Sequence, residues 1–280
     1  MVTRRMIPLL LLTACAETGE PEGAWDWYEP PAAYDVQESV AFTDVPYNFT
    51  GPTAIADLPV ATDLGTVFAS DDGPPDCAEW STTDELPAEI EGIVTLHPRY
   101  YYKSQGCLPE TNDDGLDSDE KYYGSYFIED ASGGVFVLGD SKVAHFDMGD
   151  RVRMRVRAVR DAFGVNAVAA HDIIEVIRGP EAISYIEKSE RFDVTDVSEV
   201  RRVVGTVRDE IGNFGEFNIE ADDGANYAIG IDAELARRGA YWAPGTRLQI
   251  TGPVFLSYST YTLIVMKLGQ VQVLDEPSLE

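Results

Sequence analysis

The chain reads as a mostly β protein: two tandem five-stranded barrels of the same make, after an export signal and an acidic, proline-rich tether. Three observations predict this. First, a stretch occurs twice: Tyr123–Asp130 is echoed by Phe214–Ala221. Each copy is followed by a glycine turn (Gly133-Gly134; Gly224), an apolar run (Val135–Leu138; Tyr227–Ile231) and an aspartate (Asp140; Asp232). Repetition at this spacing means two copies of one domain. Second, from Ile90 onward the residues form short alternating runs rich in β-branched and aromatic side chains, bounded by Gly, Asp and Asn. Third, the first residues carry a basic then apolar pattern too short to span a bilayer.

From the N-terminus, Arg4 and Arg5 form a positive n-region and Met6–Leu12 an apolar one, ending in Leu12-Thr13-Ala14-Cys15. These residues resemble a bacterial lipobox. The resemblance implies cleavage before Cys15, acylation of that thiol and a membrane anchored through lipid. The alternative is an ordinary secretory signal with a cysteine at its cleavage site. Ala16, where the lipoprotein pattern for the inner membrane has Asp, implies the outer membrane of a Gram-negative cell envelope. No later segment is long and apolar enough for a transmembrane helix.

Charge agrees with export. The 280 residues hold 49 acidic and 21 basic side chains, and removing residues 1–14 takes away two of the basic ones. Such an excess favours solubility and repels polyanions, so nucleic acid is expected not to be a partner. Residues 15–60 read as the tether: Glu20-Pro21-Glu22-Gly23 and Glu29-Pro30-Pro31 break helices, and the acids keep the segment extended. Trp25, Trp27 and Tyr28 are expected to dock on the first domain. The domains themselves are expected over 61–180 and 181–280.

With Cys15 acylated, Cys77 and Cys107 remain, an even pair in an oxidising compartment, and are expected to form one disulfide. Closing a loop of that size would contribute on the order of 3–4 kcal/mol. A metal pair is the alternative, but His97, His145 and His171 are scattered without ligand spacing.

Strands are expected over Ile90–Leu96, Ser125–Glu129, Val135–Leu138, Arg151–Arg160 and Val165–Ile177 in the first copy. The second gives Val203–Arg208, Glu216–Glu220, Asn226–Ile231, Arg247–Val254 and Tyr261–Leu274, with a helix over Ala233–Arg238 capped by Asp232 and stopped by Gly239. In the first copy Ser141–Phe146 occupies the helix's place. Five strands with an insertion after the third is the plan of the OB-fold. Gly92-Ile93-Val94, Phe127-Ile128-Glu129-Asp130 and Gly149-Asp150-Arg151-Val152 resemble a motif of bacterial OB-fold proteins. So do Gly205-Thr206-Val207, Phe217-Asn218-Ile219 and Gly245-Thr246-Arg247-Leu248. The resemblance implies a fold and names no activity. A pair of small β-sandwiches is the rival architecture.

The first copy carries about 22 extra residues between its first and second strands, in the loop that borders an OB ligand groove. It holds Tyr100, Tyr101, Tyr102, Cys107 and an acidic run. Asn112, Asp114, Asp117, Asp119 and Glu120 offer alternating oxygens of the kind a calcium ion takes. Set on an EF-hand frame, the bidentate position falls on Lys121, so a solvated acidic loop is the expected outcome and no cofactor is expected. Tyr100, Tyr101, Tyr102 and Tyr123 are the candidate ligand-stacking residues, with core packing as the alternative. Arg151, Arg153, Arg155 and Arg157 alternate along one strand and so share one face; the reading favoured over an anion site is neutralisation by the chain's own carboxylates.

No nucleophile elbow, phosphate loop or zinc spacing is present, so no enzymatic activity is expected. The expected role is that of a lipid-anchored cell-envelope binding or structural module, partnering the membrane and another envelope protein or a glycan. Two alternatives stand beside it: an oligosaccharide- or peptide-binding lipoprotein using the 100–121 loop, and a hydrolase with two carboxylates brought together in a cleft.

Overall fold

A computed structural model describes residues 40–60, 86–101, 125–137, 147–162, 165–177, 179–212, 215–232, 235–236, 239–257 and 259–275. Fourteen strands lie among them: β1 (Phe42–Thr43), β2 (Ala88–Tyr101), β3 (Ser125–Asp130), β4 (Gly133–Val137), β5 (Arg151–Ala162), β6 (Val165–Ile177), β7 (Ile183–Ser184), β8 (Ile186–Glu187), β9 (Val200–Val207), β10 (Glu216–Glu220), β11 (Asn226–Ile231), β12 (Arg247–Ser257), β13 (Thr260–Val265) and β14 (Val271–Asp275). No helix among the described residues is long and apolar enough to cross a membrane.

The fold is mostly β, and the strand order is the same twice. The first barrel runs β2-β3-β4-β6-β5 and closes through β2 and β5. The second runs β9-β10-β11-β13-β12 and closes through β12 and β9. In each, the third and fifth strands are the one parallel pair of the ring, β4 with β6 and β11 with β13. This is the OB plan of a small closed barrel. The sandwich alternative falls because the first and fourth strands of each copy hydrogen-bond to each other.

The strands form where alternation demands them. In β10 the pattern Glu216-Phe217-Asn218-Ile219-Glu220 sends Phe217 and Ile219 inward and leaves Glu216 and Asn218 exposed. Gly92 and Gly205 hold equivalent places on the first strands: a Cβ at either would come within about 3 Å of the backbone oxygen of Glu129 or Glu220. The first interior is filled by Ile90, Val94, Tyr126, Ile128, Val135, Val137, Val152, Met154, Val156 and Val168. Each such side chain contributes about 1.5–3 kcal/mol by leaving water.

Two expectations are corrected. Residues 40–60, expected as the end of the tether, are packed: β1 pairs in parallel with β7, and Ile55 and Leu58 are buried against the first barrel. A tether is wet and unpaired, whereas the apolar spacing of this segment gives it surface to bury. The single long strand expected over Tyr261–Leu274 is two strands, broken by a 3-10 turn at Leu268–Gln270. After the break, β14 continues along β12 where β13 leaves off. In the expected helix, Leu235 and Ala236 are helical, with the Ala236 N–H donating to the Asp232 carbonyl at 2.9 Å. Ser141–Phe146 lies outside the described residues.

A second apolar cluster runs from the second barrel's interior into the seam between the barrels. Phe127 and Phe136 on neighbouring strands face outward from the first barrel and meet Phe255 of β12, with ring centroids 5.9 and 5.8 Å away. Backbone N–H groups donate across the seam to side chains, Gly134 to Glu199 and Val200 to Glu129, and at Gly134 the two segments pass so close that a Cβ would sit 2.1 Å from the Ser198 carbonyl oxygen. Lys267 Nζ, buried, donates to Asp147 at 2.7 Å from the opposite barrel.

Candidate ligand face on the second barrel

Most of the residues singled out from sequence lie outside the described residues: Cys15, Cys77, Tyr102, Cys107, Asn112, Asp114, Asp117, Asp119, Glu120 and Tyr123. Tyr100 and Tyr101 are backbone members of β2, at its far end.

The arginine row is described, and it is spoken for. Arg151 donates to Glu91 at 3.2 Å and to Glu181 at 2.7 Å; Arg153 and Arg155 converge on Glu89 at 2.9 and 3.0 Å; Arg157 donates to Asp172 at 2.6 Å. Strand pairing explains it: β2 sets Glu89 opposite Arg155 and Glu91 opposite Arg153. The two guanidinia hold the Glu89 carboxyl below its ordinary range.

An OB barrel offers ligands the outer face of its second and third strands, beside the loops that join strands one to two and four to five. Here the two copies differ. On the first barrel that face carries Phe127 and Phe136, both about 1% exposed or less beneath Phe255. On the second barrel the corresponding face is open along β10. Asn218 stands in one row with Ala228 of β11 and Thr262 of β13, and Glu220 is opposite Asn226. Glu216, Asn218 and Asn226 are exposed.

The neighbouring loop frames this face. Asp209 accepts from both the backbone and side-chain amides of Asn218, at 2.6 and 2.7 Å, which fixes the amide's orientation. Arg208 lies 3.3 Å from Glu220. Tyr241 is 54% exposed, and its hydroxyl donates to Glu210 at 2.6 Å; that bond raises its pKa. Asn218, Arg208 and Glu220 form a polar shelf along β10, and Tyr241 is an exposed ring tied to the adjoining loop through Glu210. Sequence reasoning had pointed to the other barrel, because the insertion there is long.

A recess of about 450 Å³ opens at the seam, lined by Tyr47, Asp130, Ser184, Tyr185, Glu187 and Glu199 among others. Glu129, 5% exposed, accepts from the Val200 N–H at 3.0 Å and from the Tyr47 hydroxyl at 3.5 Å, while Glu199 accepts from the Gly134 N–H at 2.8 Å. Burial first, then Glu199 beside it, raises the Glu129 pKa well above the carboxylate range. Burial also raises the Tyr47 pKa, and its hydroxyl accepts from the Ser184 N–H at 3.0 Å. No group of three or more His, Cys, Asp or Glu among the described residues is arranged to hold a metal.

No family model matches the chain, and no curated protein matches it. Solved structures do. The HINa domain of Ifi202 in complex with 20bp dsDNA is 11% identical, covering 68% of this chain and 97% of that one, with a TM-score of 0.28. The p204 HINb domain is 11% identical, over 67% and 96%, at 0.29. A deletion mutant of the single-stranded DNA binding protein from Thermus aquaticus is 13% identical, over 69% and 96%, at 0.21.

Of these three, one is a complex with double-stranded DNA and one a single-stranded DNA binding protein, which runs against two expectations: the cell-envelope binding or structural module with its two alternatives, and the exclusion of nucleic acid from the partners. Net charge alone does not name a partner, because a ligand meets the local face rather than the sum. Glu129 and Glu199, two carboxylates brought to the seam, each accept a backbone N–H across it.

Proposed function

We propose that this chain is a single-stranded nucleic-acid-binding module that works through the outer face of β10 and β11 on the second barrel. The location rests on one observation: of two equivalent faces, the first is sealed under Phe255 and the second is open. The ligand class rests on the fold, whose open faces take oligonucleotides. Tyr241 supplies a surface on which a base stacks, and the Asn218 amide, held by Asp209, a hydrogen-bonding edge. Glu216 and Glu220 turn phosphates away, so the bases lie inward and the backbone runs outward into solvent. Binding is then weak and nearly insensitive to salt, because Arg208 is already paired with Glu220.

Fluorescence anisotropy with short single-stranded DNA and RNA at low ionic strength tests this. Tyr241→Ala is expected to weaken binding about tenfold, and Ala228→Trp, which fills the row beside Asn218, to abolish it. Absence of binding, or binding that neither substitution changes, overturns the reading.

We also propose the address and chemistry carried by the remaining residues. The lipobox resemblance supports export and acylation at Cys15, placing the barrels at the outer membrane, and Cys77 with Cys107 is assigned a disulfide. The module has no catalytic activity and no cofactor, and the 112–120 loop is solvated rather than calcium-bound. Cys15→Ala is expected to release the protein into soluble fractions; retention on membranes with fatty-acid labelling refutes the acylation site.

A further inference from the structure

We propose that Glu129 and Glu199 form a proton-sharing latch across the seam, and that loss of the shared proton separates the barrels and uncovers the Phe127–Phe136 face. The two side chains reach past each other at one recess: Glu129 accepts from the Val200 N–H, the residue next to Glu199, and Glu199 accepts from the Gly134 N–H of the opposite barrel. Two carboxylates in contact in a buried place cannot both ionise at low cost. One proton on Glu129 converts the repulsion into a hydrogen bond.

The groups facing the pair do not cancel this. From residues 40–60 comes Tyr47, a neutral hydroxyl, with Asp44 further out on the recess wall; from the tip of β3, Asp130, whose oxygens are bonded to Ile55 and Ser132 N–H groups. Glu187 of β8 adds negative charge to the recess. Arg201 is the one cation: it lies 3.5 Å from Glu199, but its Nε is committed to Asp196 at 2.7 Å. The recess gives base in solvent a route to the proton. When it leaves, the two charges repel, and opening of the seam releases the Val200 and Gly134 N–H groups.

The direction follows from the sign of the shift. Glu129's pKa in the folded chain is raised above its unfolded value. Stability from the protonated pair is therefore fully present below the ordinary carboxylate range and lost as pH rises through the raised value.

Amide exchange at Val200 and Gly134 in the full chain, corrected for chemical exchange, reads the latch. The opening constant is expected to rise about tenfold per pH unit between the ordinary carboxylate range and the raised value of Glu129, and to level off above it. Glu129→Gln, which keeps an acceptor for Val200 without titrating, is expected to remove that rise. The infrared carbonyl band of a protonated carboxyl is expected in the wild type below the break and to vanish above it. Opening that does not change with pH, the same slope in Glu129→Gln, or no carboxylic-acid band overturns the latch. If Glu129→Gln does not fold, the wild-type exchange profile and infrared band decide alone. None of these readouts involves a ligand, so the outcome is independent of nucleic-acid binding.

Discussion

Gln270 holds the break between β13 and β14 by itself. Its side-chain oxygen accepts from the Met266 and Lys267 N–H groups at 2.7 and 2.9 Å, and its amide donates to the Thr251 and Ile264 carbonyls at 3.0 and 2.9 Å. A buried amide with every bond made specifies one conformation, because each bond lost strands a backbone group away from water. Gln270→Ala is expected to lower stability by about 2–4 kcal/mol in urea unfolding, through two unpaired N–H groups. His171 acts through its proton. Burial lowers its pKa to about 4, and the Tyr126 hydroxyl lies 3.3 Å from Nε2. With the folded value below the unfolded one near 6.5, its contribution is present above that pH and lost as pH falls toward 4. Thermal melts across that range are expected to show a shallower acid limb in His171→Gln than in the wild type.

At the scale of elements, the turn between β3 and β4 is the tightest joint. Gly134 leaves no room for a methyl group against the Ser198 backbone, which no rotamer change relieves. Gly134→Ala is expected to cost about 3 kcal/mol and to raise amide exchange at Val200 while the interior of the first barrel stays protected. Much at this scale was legible in sequence. Alternation placed β6, β10 and β11 at their observed bounds, since each has one wet face. The break at Leu268–Gln270 was not legible, because the partners that cap it, Thr251 and Ile264, come from other strands. A signal for the ligand face was present and went unread. Tyr126-Phe127-Ile128 and Val135-Phe136-Val137 are apolar at every position, the mark of strands buried on both sides, whereas β10 alternates with Glu and Asn. That contrast says which barrel is covered. The length of the first copy's insertion pointed instead to the covered one. The arginine row was readable in the same way, its partners sitting at the alternating Glu89 and Glu91.

At the scale of the whole molecule, the aromatic contact of Phe255 with Phe127 and Phe136 joins the two barrels' apolar clusters. Phe255 is buried between Phe127 and Phe136, so its removal opens a cavity at the point where the two cores meet. Phe255→Ala is expected to cost about 3–5 kcal/mol. It is also expected to divide a single unfolding transition into two, seen as circular dichroism and amide exchange of the separate barrels ceasing to coincide in denaturant. Coincident transitions in the variant would show that the remaining contacts at Gly134 and Lys267 suffice.

The pairing of β1 with β7 has a mechanical consequence. Ala41 and Thr43 accept from the Ile183 and Tyr185 N–H groups at 2.8 and 3.0 Å, so the N-terminal segment is laced to the stretch that links the two barrels. Tension applied upstream of Val40 therefore enters the molecule at its midpoint, not at one end. Two parallel strands loaded this way slide along each other, and their bonds share the pull rather than opening one after another. A chain held by its beginning would hang from its waist, with both barrels slack until that short lace gives way.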